Sequence, residues 1–199
     1  MHFIILYLTR INQPFITFTM QRVNINSNEY LIAYHTQESW AKPLTSPIEC
    51  RRSNAWLGMG YYFWVELEFA HNWGSDSKRK TGFYDIYKAN IDENKILNAS
   101  FNEEEYYFFA NQIEKARRYL ATKTKEDINL RNVNKFLADK VWNKLGIKGI
   151  IFDDLPKNSN SRTYSDITPL FYKKRVQIVL FDNENIINFA PHLLKEKCN

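Results

Sequence analysis

The sequence predicts a single α+β domain, and three observations lead to that prediction. The chain has 199 residues, of which 44% are hydrophobic and 16% aromatic, so it can bury one proper core. Strand-like and helix-like segments are segregated rather than strictly alternating, which favours α+β over a repeating βαβ fold. No repeat or low-complexity linker interrupts residues 26–199, and we therefore expect that range to form the domain.

The first half of the domain is predicted to contain two strands, a loop and a short helix. An apolar run at residues 30–34 is rich in strand-forming side chains and leads into His35. Prolines interrupt residues 41–56, which we expect to form a loop. Residues 61–65 predict a second strand, and the helix that follows is expected to stop at Gly74.

The second half is predicted from alternation and from helix-end signals. Apolar and polar residues alternate over residues 83–91 well enough to predict a strand. After a polar turn, residues 95–97 predict a short segment that runs back along it. Asn102 can cap a long helix that has acidic residues at its start and basic residues at its end. A second helix is expected to end at Gly146. That helix and two buried strands are placed at residues 130–145, 150–152 and 177–181.

Residues 1–25 are treated as an N-terminal extension. Residues 3–8 are apolar, but no basic segment precedes them, and the run is too short for a membrane span and poor as a signal peptide. The extension is either an extra strand of the domain or lies upstream of a start at Met20. We expect a cytoplasmic protein without a membrane partner.

The charge balance favours anionic partners. Lysine and arginine number 27 against 22 acidic residues, which gives a formal charge of +5. Such a balance suits a phosphate-bearing substrate or a nucleic acid, although any single basic cluster is better explained as a solvated surface. The two cysteines and four histidines show neither a disulfide framework nor zinc spacing, so no metal is expected.

Three short motifs carry the chemical signal. The first is Tyr34-His35-Thr36, at the end of a predicted strand. The second is the segment from Gly58 to Phe63, which has two glycines before a run of aromatic residues. The third starts at Gln177 and continues Ile-Val-Leu-Phe-Asp. Each motif alone is explained as ordinary core or surface structure, and only their joint occurrence in this order supports a function.

Together the motifs resemble those of ADP-ribosyltransferases of the diphtheria-toxin and poly(ADP-ribose) polymerase type, from about residue 28 to residue 189. The resemblance implies split antiparallel sheets with flanking helices, and NAD as co-substrate without a metal. It assigns His35 to the adenosine ribose and the backbone of Thr36 to the nicotinamide amide. It assigns to Tyr62 the ring that stacks on the nicotinamide. Tyr61 either forms a second stacking ring or points into the core, since neighbours on a strand face opposite ways.

The resemblance also assigns supporting residues and shows two departures. Gly58 and Gly60 would let the backbone approach the cofactor closely, with Ala70 on the next helix. The family usually has glutamate where this chain has Gln177, and glycine where it has Thr36. An amide can accept a ribose hydrogen bond but cannot ionise or act as a general base.

Because Gln177 carries no charge, the sequence does not identify the general base. The acceptor is either nucleophilic enough unaided or is deprotonated by a neighbour such as Asp153, Asp154 or Asp166. Gln177, Tyr62 and His35 are thus the candidate catalytic residues.

The function expected from this resemblance is a mono-ADP-ribosyltransferase toxin of a toxin–antitoxin or phage-defence system, neutralised by a protein antitoxin. A slight lean toward RNA or DNA as acceptor rests on basic and aromatic residues that precede Gln177. These predicted acceptor-binding residues are Arg162, Tyr164, Phe171, Tyr172 and Lys173. The alternatives are a protein-directed transferase, an NAD glycohydrolase, and an inactive module that binds NAD or a partner.

Overall fold

The structure is a computed structural model that describes residues 20–52, 55–76, 80–123, 128–154 and 174–198. The elements of the first half are β1 (Arg22–Ile25), β2 (Asn28–Glu38), β3 (Tyr61–Trp64), α1 (Leu67–Asp76), β4 (Phe83–Ile91) and β5 (Ile96–Asn98). Those of the second half are α2 (Glu103–Ala121), α3 (Leu130–Leu137), a π-helical segment (Ala138–Trp142), α4 (Asn143–Leu145), β6 (Gly149–Asp154), β7 (Arg175–Leu180) and β8 (Ile186–Lys197).

The described strands form one mostly antiparallel sheet, which confirms the predicted α+β class. Its order is β5-β6-β7-β3-β2-β4-β8, with β1 paired to β2. Among the described strand pairs, only β5–β6 is parallel. The two helical layers cover different parts of this sheet, as expected for an α+β protein.

The sheet nearly divides between β2 and β3. On one side β3 pairs with β7 over all four of its residues. On the other side it pairs with β2 at a single position, Tyr34 opposite Trp64. Beyond that position β2 continues along β4 as far as Glu38. We call the gap between residues 35–38 of β2 and residues 61–63 of β3 the seam.

Three hydrophobic clusters hold these layers together. The first unites both sides of the seam, because it joins residues of β2 and β4 with residues of β3, β6 and β7. In the second cluster, α2 and α3 pack on β6 and β7. In the third, α1 packs on β2, β3 and β4. The seam is therefore bounded by a shared core on one face and by helices on the other.

The predicted end of α1 was wrong, whereas the predicted end of the second helix was confirmed. Gly74 was expected to stop α1, but the helix continues to Asp76. Gly74 is there for packing, because an added Cβ would lie 2.2 Å from a ring atom of Tyr84. The helix predicted over residues 130–145 is interrupted by the π segment and ends as expected at Gly146, which has a φ of 67°.

Two strands and two tryptophans were not located from local sequence patterns; one of the strands, β1 (Arg22–Ile25), lies within residues 1–25, for which an extra strand was one alternative. β1 is joined to β2 by Asn26 and Ser27, both with positive φ, which suits a two-residue hairpin turn. β8 was not predicted as a strand. Trp40 and Trp73 are 52% and 43% exposed, although large aromatic side chains are usually mostly buried. Within the described ranges, no helix is long and apolar enough to cross a membrane.

Candidate functional site

A cavity of about 360 Å³ opens on the helical side of the seam. Its wall is built from the end of β2, the loop before β3, the β3 strand, α1, and the facing ends of β6 and β7. The volume lies in the range of pockets that bind small organic ligands. His35, Tyr62 and Gln177, the three residues singled out by the motifs, all line this cavity.

His35 bridges the seam through its side chain. Its Nδ1 lies 2.8 Å from the carbonyl oxygen of Tyr62. A carbonyl can only accept a hydrogen bond, so Nδ1 carries the proton. Nε2 then accepts a longer, 3.5 Å bond from the backbone N–H of Ile48. Both ring nitrogens thus have protein partners, and a ribose hydroxyl would have to displace the Ile48 contact to reach Nε2.

Tyr62 is tied to the loop that precedes it. Its hydroxyl donates to the carbonyl of Gly58 over 2.7 Å and accepts from the N–H of Leu57 over 3.1 Å. Burial raises the pKa of this hydroxyl, which keeps it protonated. With the hydroxyl anchored, the ring is held as a fixed flat surface in the cavity wall.

Gln177 is 6% exposed and lies on β7 opposite Trp64 of β3. Its Oε1 accepts a hydrogen bond from the indole N–H of Trp56 over 2.9 Å. Trp56 belongs to the loop before β3, so this contact closes the loop over the strand that carries Gln177. The cavity lining includes four large aromatic side chains, those of Trp56, Tyr62, Trp64 and Trp73.

Arg175 lies two residues before Gln177 and therefore on the same face of β7. It pairs with Asp154 of β6 over 3.0 Å, and its guanidinium lies 5.3 Å from the ring centroid of Trp64. Its Nε–H is buried and has no hydrogen-bond acceptor among the described residues. A buried donor without an acceptor is unfavourable unless a ligand or water supplies one.

The rim of the cavity carries further charge. Arg51 and Arg52 are exposed there, and Arg51 pairs with Glu49 over 2.7 Å. With Arg175 and Asp154, the lining has three arginines against two carboxylates. Such an excess of positive charge in a cleft favours an anionic ligand.

Other predicted cofactor-binding residues are placed differently. Thr36 lines the cavity, and its hydroxyl donates to the carbonyl of Ala70 over 2.8 Å. Ala70 is fully buried in the α1 cluster and does not line the cavity. Tyr61 packs against the core on the opposite side of the sheet, the second of the two positions considered for it.

The glycines of the second motif serve packing within the protein. An added Cβ on Gly60 would lie 2.4 Å from the carbonyl oxygen of Leu180, so glycine is needed for the close approach of β7. Gly58 has a φ of 100° and lies beside Asn134 of α3. Neither glycine lines the cavity, contrary to the expected approach to a cofactor.

The three candidate bases are separated by the structure. Asp154 lines the cavity. Asp153 lines a second groove, where it accepts from Ser100 and pairs with Lys174. Asp166 and the five predicted acceptor-binding residues lie outside the described residues. Those five are Arg162, Tyr164, Phe171, Tyr172 and Lys173.

Two site residues were missed by sequence reasoning. Arg175 lies before the strand predicted over residues 177–181, whereas β7 begins at Arg175 and so carries Arg175 and Gln177 on one face. Trp56 lies at the end of the loop predicted over residues 41–56. Its contact with Gln177 spans 121 positions, and no local signal reports such a contact.

Comparisons with family models, curated proteins and solved structures returned no significant match. Among the described residues, no group of three or more His, Cys, Asp or Glu side chains could hold a metal ion.

Proposed function

We propose that the protein is an NAD-dependent ADP-ribosyltransferase whose seam cavity binds NAD. One observation carries the proposal. His35, Tyr62 and Gln177 come from three separate segments, match three motifs of one enzyme family in order, and line the same cavity. Their convergence supports the family relationship more strongly than any single motif does.

The chemistry of the cavity suits a dinucleotide with a planar, positively charged end. Aromatic faces such as that of Tyr62 can stack on the nicotinamide ring, which is a cation in NAD. Arg51, Arg52 and Arg175 line the cavity and supply positive charge for the diphosphate. The resemblance implies split antiparallel sheets; the described strands form one sheet, which nearly divides between β2 and β3.

In the proposed reaction, the bond between nicotinamide and ribose breaks, nicotinamide leaves, and a nucleophile of the acceptor bonds to the ribose carbon. Gln177 is neutral and cannot take the acceptor's proton. Asp154 is the described carboxylate on the same strand face, since it pairs with Arg175 and Phe152 pairs with Gln177. Diagonal neighbours in such a pair lie about 7–8 Å apart. We assign proton acceptance to Asp154.

The proposed biological role is that of an intracellular toxin, and it follows from the resemblance alone. Expression of the chain is expected to arrest bacterial growth, and His35→Ala or Tyr62→Ala is expected to relieve the arrest. Continued arrest by both variants, without NAD consumption, would count against the toxin role.

Nucleic acid remains the preferred acceptor in this proposal, because the net charge is +5 and the rim exposes Arg51 and Arg52. Radiolabelled NAD supplied with cellular RNA, DNA and protein tests that preference. Label that accumulates only in protein would replace it with the protein-directed alternative.

The decisive experiment for activity measures nicotinamide release by wild type and by Gln177→Glu. A carboxylate at this position can still accept from Trp56, and it adds negative charge beside the reacting ribose. We expect release to rise by roughly 10- to 100-fold in the variant. The gain should appear as pH rises through the pKa of the new carboxyl, because only its ionised form carries the charge.

Gln21→Glu is the matched control, since it makes the same change at an exposed position just before β1, outside the cavity. It should leave nicotinamide release unchanged. No release by wild type or by Gln177→Glu, with NAD at millimolar concentration, would refute the proposed activity.

A second candidate is a module that binds NAD without turning it over. The contact between Trp56 and Gln177 favours it, because the amide oxygen is already engaged within the protein. NAD binding without nicotinamide release by wild type, together with release by Gln177→Glu, would establish this alternative. Release without labelling of any macromolecule would instead identify a glycohydrolase that uses water as acceptor.

A further inference from the structure

The hydrogen bond between Trp56 and Gln177 fixes the orientation of the glutamine amide. An indole N–H can only donate, so the atom 2.9 Å from it must be the amide oxygen. The amide NH₂ group of Gln177 is then directed away from Trp56. Among the described residues, no hydrogen-bond acceptor for that NH₂ group is found, and Gln177 lines the cavity.

Trp56 is itself held from several directions. Its carbonyl accepts a 2.8 Å hydrogen bond from the side chain of Asn134, a buried residue of α3. Its ring meets the edge of Phe152, with ring centroids 5.5 Å apart. Phe152 is also the cross-strand partner of Gln177 on β6. The indole therefore approaches Gln177 in an orientation that the surrounding core enforces.

We propose that Trp56 is a positioning residue that holds Gln177 with its NH₂ group toward the ligand. Gln177 then presents hydrogen-bond donors at the place where a glutamate would present an acceptor. The cavity would select a ligand with an acceptor oxygen at this point, such as a ribose hydroxyl oxygen. The identity of that ligand as NAD rests on the proposed function, whereas the orientation of Gln177 does not.

The orientation is tested first without any ligand. Hydrogen exchange of the five tryptophan indole N–H groups is measured by NMR on the unaltered full chain. Exchange at Trp56 should be slower than at the exposed Trp40 by roughly tenfold or more. Gln177→Leu should shift the Trp56 indole signal and remove its protection, while leaving Trp40 unchanged. An indole of Trp56 that exchanges as fast as Trp40, or that ignores Gln177→Leu, overturns the proposal.

The consequence for binding is tested with NAD. Trp56→Phe keeps a ring against Phe152 but removes the N–H, and it should weaken NAD affinity by roughly tenfold. Gln177→Leu should have a similar effect, and the double variant should be no worse than either single one. Trp40→Phe, the same exchange outside the cavity, should leave affinity unchanged.

Fully additive losses would overturn the positioning role. If wild type binds no NAD, the proposed function fails, and the exchange measurement still decides the orientation of Gln177. The exchange rates of Trp56 and Trp40 in wild type need no altered chain, so that comparison stands even if Trp56→Phe or Gln177→Leu fails to fold.

Discussion

Strand β3 has two neighbours, and its contacts with them differ sharply. With β7 it forms a continuous ladder, and Gly60 brings the backbone just before β3 close to Leu180. With β2 it shares a single backbone pair, beyond which the side chain of His35 reaches across to the carbonyl of Tyr62. The ladder between β3 and β7, which we call the closed side, fixes where Gln177 lies relative to β3. The gap between β3 and β2, which we call the open side, leaves room for a ligand.

The difference shows how one strand can be both rigid and accessible. A continuous ladder pairs the backbone N–H and C=O groups of two strands in hydrogen bonds, but it leaves no space for a ligand between them. In the seam, a side-chain hydrogen bond replaces the ladder, and the cavity forms beside it. The seam thus combines an ordered wall with an opening, which is the arrangement a binding site requires.

The largest expected effect comes from disturbing the closed side. Gly60→Ala would place a Cβ 2.4 Å from the carbonyl oxygen of Leu180 and 2.8 Å from a methyl group of Val179. Backbone must shift to relieve the collision, and we expect the free energy of unfolding to fall by about 3 kcal/mol. Urea denaturation measures this loss.

Gly82→Ala is the control for Gly60→Ala. Gly82 has a φ of 73°, but an added Cβ there meets no atom within 4 Å. Only backbone strain remains, so the loss should be about 1 kcal/mol. Equal losses for the two variants would show that the close approach of β7 is not what Gly60 provides.

A smaller effect is expected from opening the seam further. His35→Ala removes the donor that the Tyr62 carbonyl uses, and the free energy of unfolding should fall by about 1–3 kcal/mol. The exposed His192 provides the control, and His192→Ala should change the free energy by less than about 0.5 kcal/mol. A stability of His35→Ala equal to that of wild type would mean that the seam does not depend on this bond.

Regular elements were predicted from sequence where a pattern is local. The apolar runs of β2 and β3 and the capped helix α2 could be located because strand composition and the Asn102 cap lie within a few residues. β8 was not predicted from the sequence, because it is mostly exposed and contains Pro191 and two residues with positive φ. A strand that buries little has no apolar alternation to reveal it.

The candidate site was predicted only where its residues belong to a motif. His35, Tyr62 and Gln177 were singled out from their motifs, and all three line one cavity. The roles of the glycines and of Trp56 were not found, because each depends on a partner distant in sequence. Gly60 requires Leu180 as a neighbour, and Trp56 requires Gln177.

The central claim is that the open side of β3 binds NAD through the face that carries Tyr62. Isothermal titration of NAD into wild type, Tyr62→Ala and Tyr61→Ala tests it directly, because the two tyrosines are adjacent and face opposite sides of the sheet. Wild type should bind, Tyr62→Ala should bind roughly 10- to 100-fold more weakly, and Tyr61→Ala should retain its affinity once folding is verified. Absence of binding by wild type, or equal losses in both variants, would contradict the account.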